Sequence, residues 1–477
     1  MKKIFVCGLT IALLLSTAVQ GYASNMLNSE DSKIQRLEKM AAKEVAQALL
    51  VAAQKSTNID DLIVPGTVLL EKVEEISTVD LINIIGDEKV ENNGRLTLLQ
   101  IGDEKKNKDE AAWNNLCKNL LHNEDEAIAI RVDALWQIPY DEEYKNEMTQ
   151  MIMSADNELA FQALKRMNLE DVTYAEKLSK DIIRSHESFD DALYGKALKI
   201  EAARLAENGT AEQEHSFIQT CENAIKNSKN SIFTDSVFFA LNSLDSEESL
   251  NAILHSNVFD NELKRYAVLT SKRVDTAEKK QLLLTQNNIN EAKATTSYYG
   301  YAVYRDGAFI DALGVWHAGL LVKTTCTGTD TVIHVKSEAV DIGPFVDNWT
   351  GFINGNDYMG TYKSKTAYAT GDRTKIVGKA RELVTEAPQY TVAKQLKWHL
   401  ATDYGTNLGE PSSIFRMRCD GLVEYCNEYF SKKIWGTGRY WNIAIKNSNN
   451  EDYHSKTAVT PNKQAAAMEL VTSALPK

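Results

Sequence analysis

The chain has 477 residues where a typical domain has about 150, so more than one folded unit is expected. Its 43% hydrophobic and 25% charged residues are ordinary for a globular protein and exclude disordered, collagen-like and disulfide-scaffold classes. A net charge of −13 argues against a general affinity for nucleic-acid backbones or anionic membrane surfaces.

At the start, Lys2 and Lys3 precede an apolar run from Ile4 to Ala18 and the small-residue site Gly21-Tyr22-Ala23. This order predicts a cleavable export signal over residues 1–23. A retained anchor is the weaker alternative, because the run falls short of the ~20 residues a membrane span needs. The mature chain is therefore expected to be secreted or extracytoplasmic, associated with the cell envelope and without a stable membrane span. Removing Cys7 leaves Cys117, Cys221, Cys326, Cys419 and Cys426, an odd set that leaves at least one thiol unpaired.

Composition changes near residue 295. Residues 25–294 hold six glycines and two prolines, whereas 295–477 hold sixteen and five. The tail carries 20 basic and 18 acidic residues, so the acidity of the chain belongs to the first part. Within that part, apolar residues recur at helical spacing over Asp125 to Ile138, Glu143 to Ser154, Asn157 to Met167, Thr173 to Ser185, Phe189 to Leu205 and Glu214 to Asn227. An Ala-Leu pair recurs at Ala134-Leu135, Ala163-Leu164, Ala197-Leu198 and Ala240-Leu241, followed by Ala267-Val268. Small residues at repeated places let helices approach closely, and the pattern resembles irregular HEAT-type repeats. A non-repetitive helical domain is the alternative. An extended helical array suits a polymer or protein partner better than a small molecule. His122, His186, His215 and His255 fall on separate helices and are expected to be surface or capping residues.

From 295 the pattern is strand-like: Ser297 to Tyr304, Val315 to Lys323, Thr331 to Val335 and Trp441 to Ile445. Helices are expected over Arg373 to Glu386 and from Cys419 to Ser431. The fold class is thus multidomain, an all-α array over 25–294 followed by an α+β domain with an antiparallel sheet over 295–477.

Leu422, Val423, Cys426, Tyr429 and Phe430 line one face of the last helix, which sets Cys419 at its N-terminus. The unpaired amides and the dipole there favour a thiolate. Arg416 and Arg418 are expected to help and Asp420 to oppose. A base is available if β-strands around His317 and His334 pair antiparallel with these two residues directly opposed, the turn then centring between Thr325 and Cys326. One imidazole would deprotonate Cys419 and the other would orient the first, the logic of a cysteine hydrolase. Two His and one Cys also make a zinc-like donor set, but no Cys-x-x-Cys or His-x-x-x-His accompanies them.

The segment Cys419-Asp420-Gly421-Leu422-Val423 resembles the Cys-Ser-Gly-Leu-Val motif of NlpC-type papain-fold hydrolases. Because His317-Ala318-Gly319 and His334 precede the cysteine, the order resembles the circularly permuted branch, which includes the lecithin:retinol acyltransferase group. The Arg373 to Ala387 helix and Pro388-Gln389-Tyr390 are similar to that branch's helix and tyrosine segment. The resemblance spans about residues 297 to 446. It implies Cys419 as nucleophile, His317 as base and His334 as orienting residue. It also implies the Cys419 and Asp420 amides as oxyanion donors, with Tyr390 at the substrate or oxyanion. Asp420 departs from the usual serine. The implied activity is hydrolysis of a peptide or cell-envelope amide, with no metal or organic cofactor. The alternatives are acyl transfer or lipid hydrolysis through a thioester at Cys419, and a non-catalytic secreted binding scaffold.

Overall fold

Scarcity of helix breakers lets successive amphipathic segments close as helices, each stopped by a short polar turn. The computed structural model describes residues 32–56, 59–154, 157–226, 228–273, 298–307, 315–323, 329–335, 343–392, 394–398, 409–434 and 460–475. Helices fill the described residues up to Thr270, among them Ile128–Gln137, Glu142–Ile152, Asn157–Glu170, Val172–Arg184, Asp191–Asn208 and Ala211–Ile225, close to the expected spans. Many start on an aspartate whose carboxylate accepts the third backbone N–H of the first turn, as at Asp109, Asp141, Asp171, Asp190 and Asp260. The recurring Ala-Leu and Ala-Val pairs are buried throughout, which is where small residues allow neighbouring helices to close on each other.

The described residues of the tail form two sheets. Strands β1 (Ala302–Arg305), β2 (His317–Leu321), β3 (Val332–Val335), β4 (Pro344–Asp347), β5 (Tyr358–Lys363) and β9 (Glu469–Thr472) make an antiparallel sheet in the order β4-β3-β2-β1-β5-β9. Strands β6 (Gln389–Tyr390), β7 (Leu396–Trp398) and β8 (Ile414–Met417) make a smaller one ordered β6-β8-β7. Helices Asp372–Glu386 and Cys419–Glu428 match their expected starts. The expected strand Trp441 to Ile445 lies outside the described residues, as does the export signal; the described strand that closes the sheet is β9.

One apolar cluster runs from Ile34 and Val45 in the helices to Leu320, Ile376 and Met468 in the tail, so the two parts share a core. Ion pairs reinforce the join. Arg416 holds Asp133 and Asp103, Arg381 holds Asp235 and Asp260, and Lys397 holds Asp103 and Glu104. In the opposite sense Lys196 and Lys199 hold Glu386, whose backbone carbonyl accepts from Lys165. The acidity of the helices therefore meets bases of the chain's own tail. Part of the surface on which a polymer or protein partner was expected is taken by the tail itself.

Candidate active site

Antiparallel pairing of β1, β2 and β3 assigns side chains to faces. Arg305 stands opposite His317, and His334 stands opposite Gly319. This corrects the expected register, in which His317 and His334 were directly opposed. The slip is two residues, and because side chains alternate with period two it leaves both imidazoles on the same face. The cause is local. A Cβ at Gly319 would lie 2.6 Å from Val332 Cγ1 and 3.1 Å from Phe352, so only glycine fits there. Across from that glycine the His334 ring has room to lean toward His317, and His317 Nε2 meets His334 Nδ1 at 2.8 Å. Phe352 packs beneath both rings, 5.9 Å from His317 and 5.3 Å from His334 between centroids.

The helix Cys419–Glu428 packs against β2 and carries Cys419 on its first turn. Its approach depends on Gly421: a Cβ there would fall 2.0 Å from the Gln395 carbonyl oxygen. That same carbonyl accepts the Arg418 amide at 2.9 Å, pinning the helix start to the end of the small sheet. Gly421→Ala is expected to lower stability by about 2–4 kcal/mol, read from the denaturant midpoint, because backbone rather than a pliable side chain must yield.

Three groups from distant parts of the chain meet at this helix start. The Cys419 sulfur, a ring nitrogen of His317 and a carboxylate oxygen of Asp60 lie within 4.8 Å of one another, all fully buried. Asp60 comes from the 3-10 turn Ile59–Leu62 of the helical part. It accepts from His317 Nδ1 at 2.7 Å and from the Tyr390 hydroxyl. Tyr390, which the resemblance implied at the substrate or oxyanion, is bonded to Asp60. Asp60 and Arg305 were missed: an aspartate in an apolar turn and an arginine after an aromatic run carry no signal until strand register and the packing of the two parts are known.

Of the expected helpers of Cys419, Arg416 points away, its guanidinium held by Asp133 and Asp103. Arg418 grips Asp420 through two bonds of 2.6 and 2.8 Å, and Gln395 donates to the same carboxylate. The Asp420 side chain is therefore committed to structure. The thiol is not activated as its helix position led us to expect. Burial first, then the Asp60 and Asp420 charges, push the Cys419 thiol well above its ordinary value, against smaller help from the Ala318 amide and Arg418. Burial also raises the Asp60 carboxyl, but its contact with His317, the hydrogen bond from Tyr390 and the Arg305 charge outweigh it, so the carboxyl stays below its usual range and ionised.

With Asp60 ionised, His317 Nδ1 carries the proton that bonds it. Burial keeps the His317 ring neutral against the pull of Asp60, so Nε2 accepts from His334 Nδ1–H. His334 Nε2 is then without a proton, consistent with its 3.5 Å separation from Asp347 Oδ2. In this arrangement His317 has no lone pair left for the thiol proton. The same three atoms are a donor set that could hold a metal ion, but Asp60 and His317 stand 2.7 Å apart as a hydrogen-bonded pair, closer than the about 3.4 Å between two ligands at ~2.1 Å on one tetrahedral ion.

His334 is pushed down to about 3, by burial first, with Asp347 opposing and the Arg305 charge adding. Its ordinary value is about 6.5, so below that pH the unfolded chain takes up a proton that the folded site refuses. Stability is thus lost as pH falls from 6.5 toward 3. Between pH 7 and 5 the wild type is expected to lose about 2 kcal/mol through this residue, and His334→Gln to remove that part of the slope in urea titrations at the two pH values.

Cys117, Cys221 and Cys426 are buried free thiols, and Cys326, His399 and His454 lie outside the described residues. His122, His186, His215 and His255 are exposed, as expected; His255 caps its own helix by bonding the Asn251 carbonyl. Among the described residues no helix is long and apolar enough to cross a membrane. No protein-family model, curated protein or solved structure matches this chain.

Proposed function

We infer that the chain is an exported cysteine hydrolase that cleaves an amide bond, in a peptide or in the cell envelope, on a permuted papain-like tail carried by a HEAT-like helical array. One observation carries this reading: His317, joined to His334 by a 2.8 Å contact, has a ring nitrogen within 4.8 Å of the thiol of Cys419, about a hundred residues further along the chain.

The chemistry follows once Asp60 leaves. His317 Nε2 stays with His334, so Nδ1 is the nitrogen available to the thiol. As Asp60 withdraws it takes the His317 Nδ1 proton with it. The proton between the two rings moves to His317 Nε2, and His334 gains a proton at Nε2 from water by way of Asp347, so both rings stay neutral. With Nδ1 bare, His317 takes the proton of Cys419, and the thiolate adds to the substrate carbonyl. The Tyr390 hydroxyl and the Cys419 and Asp420 amides are the donors for the resulting oxyanion, a contribution of about 3 kcal/mol in comparable sites. The His317 imidazolium returns its proton to the departing amine. Water, activated by the same nitrogen, then hydrolyses the thioester and restores the thiol.

The test is a mass-spectrometric screen of envelope peptides and acyl amides with wild type and Cys419→Ala. A product formed by the wild type and lost in Cys419→Ala, with an unchanged circular-dichroism spectrum, supports the reading. Equal turnover by both proteins rejects it.

A further inference from the structure

The carboxylate of Asp60 sits where a substrate group would have to go, and its surroundings are built for an anion. His317 Nδ1 and the Tyr390 hydroxyl donate to it. Beside them is Arg305, which β-pairing sets directly across from His317. Arg305 is only 5% exposed, and its guanidinium lies 5.9 Å from the Phe352 ring that also supports both imidazoles. Its Nη1 donates to the Asp306 carbonyl at 3.1 Å, while its buried Nε has no hydrogen-bond partner. Asp306 offers its carboxylate elsewhere, accepting the Asp357 amide at 2.5 Å.

A neutral occupant cannot replace Asp60 without cost. If Asp60 withdrew before a neutral amide, Arg305 would stay buried beside a neutral imidazole with its largest counter-charge gone, an arrangement that is strongly destabilising. An oxyanion does not remove the difficulty, because it exists only after attack, whereas the vacancy must be filled at binding. A carboxylate restores the balance and matches the fork of N–H donors on a guanidinium.

Resting on the reading of Cys419 as nucleophile, we propose that the Arg305 side of the pocket filled by Asp60 is the substrate's carboxylate subsite, with Arg305 its specificity-determining residue. His317 Nδ1 and the Tyr390 hydroxyl, freed from Asp60, are left to the thiol and the scissile carbonyl. The substrate is an amide bearing a carboxylate beside the scissile bond. Asp60 is the internal occupant that this carboxylate displaces, so the helical part keeps the tail latent until an acidic substrate arrives.

Two alkylating agents that differ only in charge test this on the full chain without knowledge of the substrate. Iodoacetate presents a carboxylate and iodoacetamide a neutral amide, and labelling at Cys419 is followed by peptide mass spectrometry. Cys117, Cys221 and Cys426 in the same digest report whether the fold has opened. In wild type, Cys419 is expected to react slowly with both. Asp60→Asn should raise both rates, with iodoacetate about tenfold faster than iodoacetamide through attraction to the buried guanidinium. Adding Arg305→Gln should abolish that advantage, and Arg305→Lys should keep part of it. Should Asp60→Asn expose the control cysteines, the ratio of the two reagents is read at long incubation in wild type against Arg305→Gln, with the same expectation. An iodoacetate advantage indifferent to residue 305, or no acceleration in a folded Asp60→Asn protein, overturns the proposal. The underlying reading fails separately, if His317→Gln leaves the labelling rate of Cys419 in the Asp60→Asn background unchanged.

Discussion

Replacing Glu386 by alanine is expected to destabilise the protein by about 3–5 kcal/mol, among the largest effects of any single substitution outside the site. Glu386 ends the helix Asp372–Glu386 and is buried against the helical part. Its carboxylate pairs with Lys196 at 2.6 Å and with Lys199. Lys165, fully buried nearby, donates to the Glu386 and Ile414 carbonyls at 2.6 and 2.7 Å. Burial alone would raise the Glu386 carboxyl, but the three ammonium charges hold it far below the usual range. Lys165 is already brought down to about 7 by its burial, despite attraction from Glu386. Removing the carboxylate leaves these lysines buried against one another, and the folded state must expel them or strip their protons. Denaturant midpoints measure the loss. Glu386→Gln, which keeps shape and hydrogen bonding but not charge, should fall between wild type and alanine. An alanine variant as stable as wild type would mean that the join rests on the shared apolar core alone.

His317→Gln is expected to lower turnover of an amide substrate by at least about a thousandfold, as loss of a base that both activates a nucleophile and protonates a leaving group does. His334→Gln should cost about ten- to a hundredfold, because His334 touches no reacting atom and acts by holding the His317 tautomer, the scale seen when an orienting partner is removed. The order of the two losses is the informative quantity. A readout that packing alone would not move is the pH profile: without His334 the ring of His317 loses a neighbour that fixes its proton, so the acidic limb should shift while substrate affinity holds. Equal and small losses for both variants would remove His317 from the chemistry.

Much of the route to this site is legible along the chain. Cys419 at a helix start follows from the spacing of Leu422, Val423 and Cys426, and the β-strands carrying His317 and His334 follow from their apolar, β-branched neighbours. The register between them was off by two, because one of the deciding contacts over Gly319 comes from Phe352, which lies beyond the hairpin. Thiolate activation by the helix dipole was expected from local position. Burial and the Asp60 charge, both non-local, reverse it.

The amino-acid pattern alone places the helices named in the sequence reading and strands β1, β2 and β3, since these depend on residues within a few positions of one another, whereas β4 to β9 were not anticipated. Which charges stand together is settled only by packing. Asp60 lies 257 positions from His317, and the Tyr390 hydroxyl lies 330 positions from the carboxylate that it meets. No periodicity encodes such pairs. They exist because the helical part and the tail bury one continuous core, and closing that core presses an aspartate from one against the imidazole, phenol and thiol of the other.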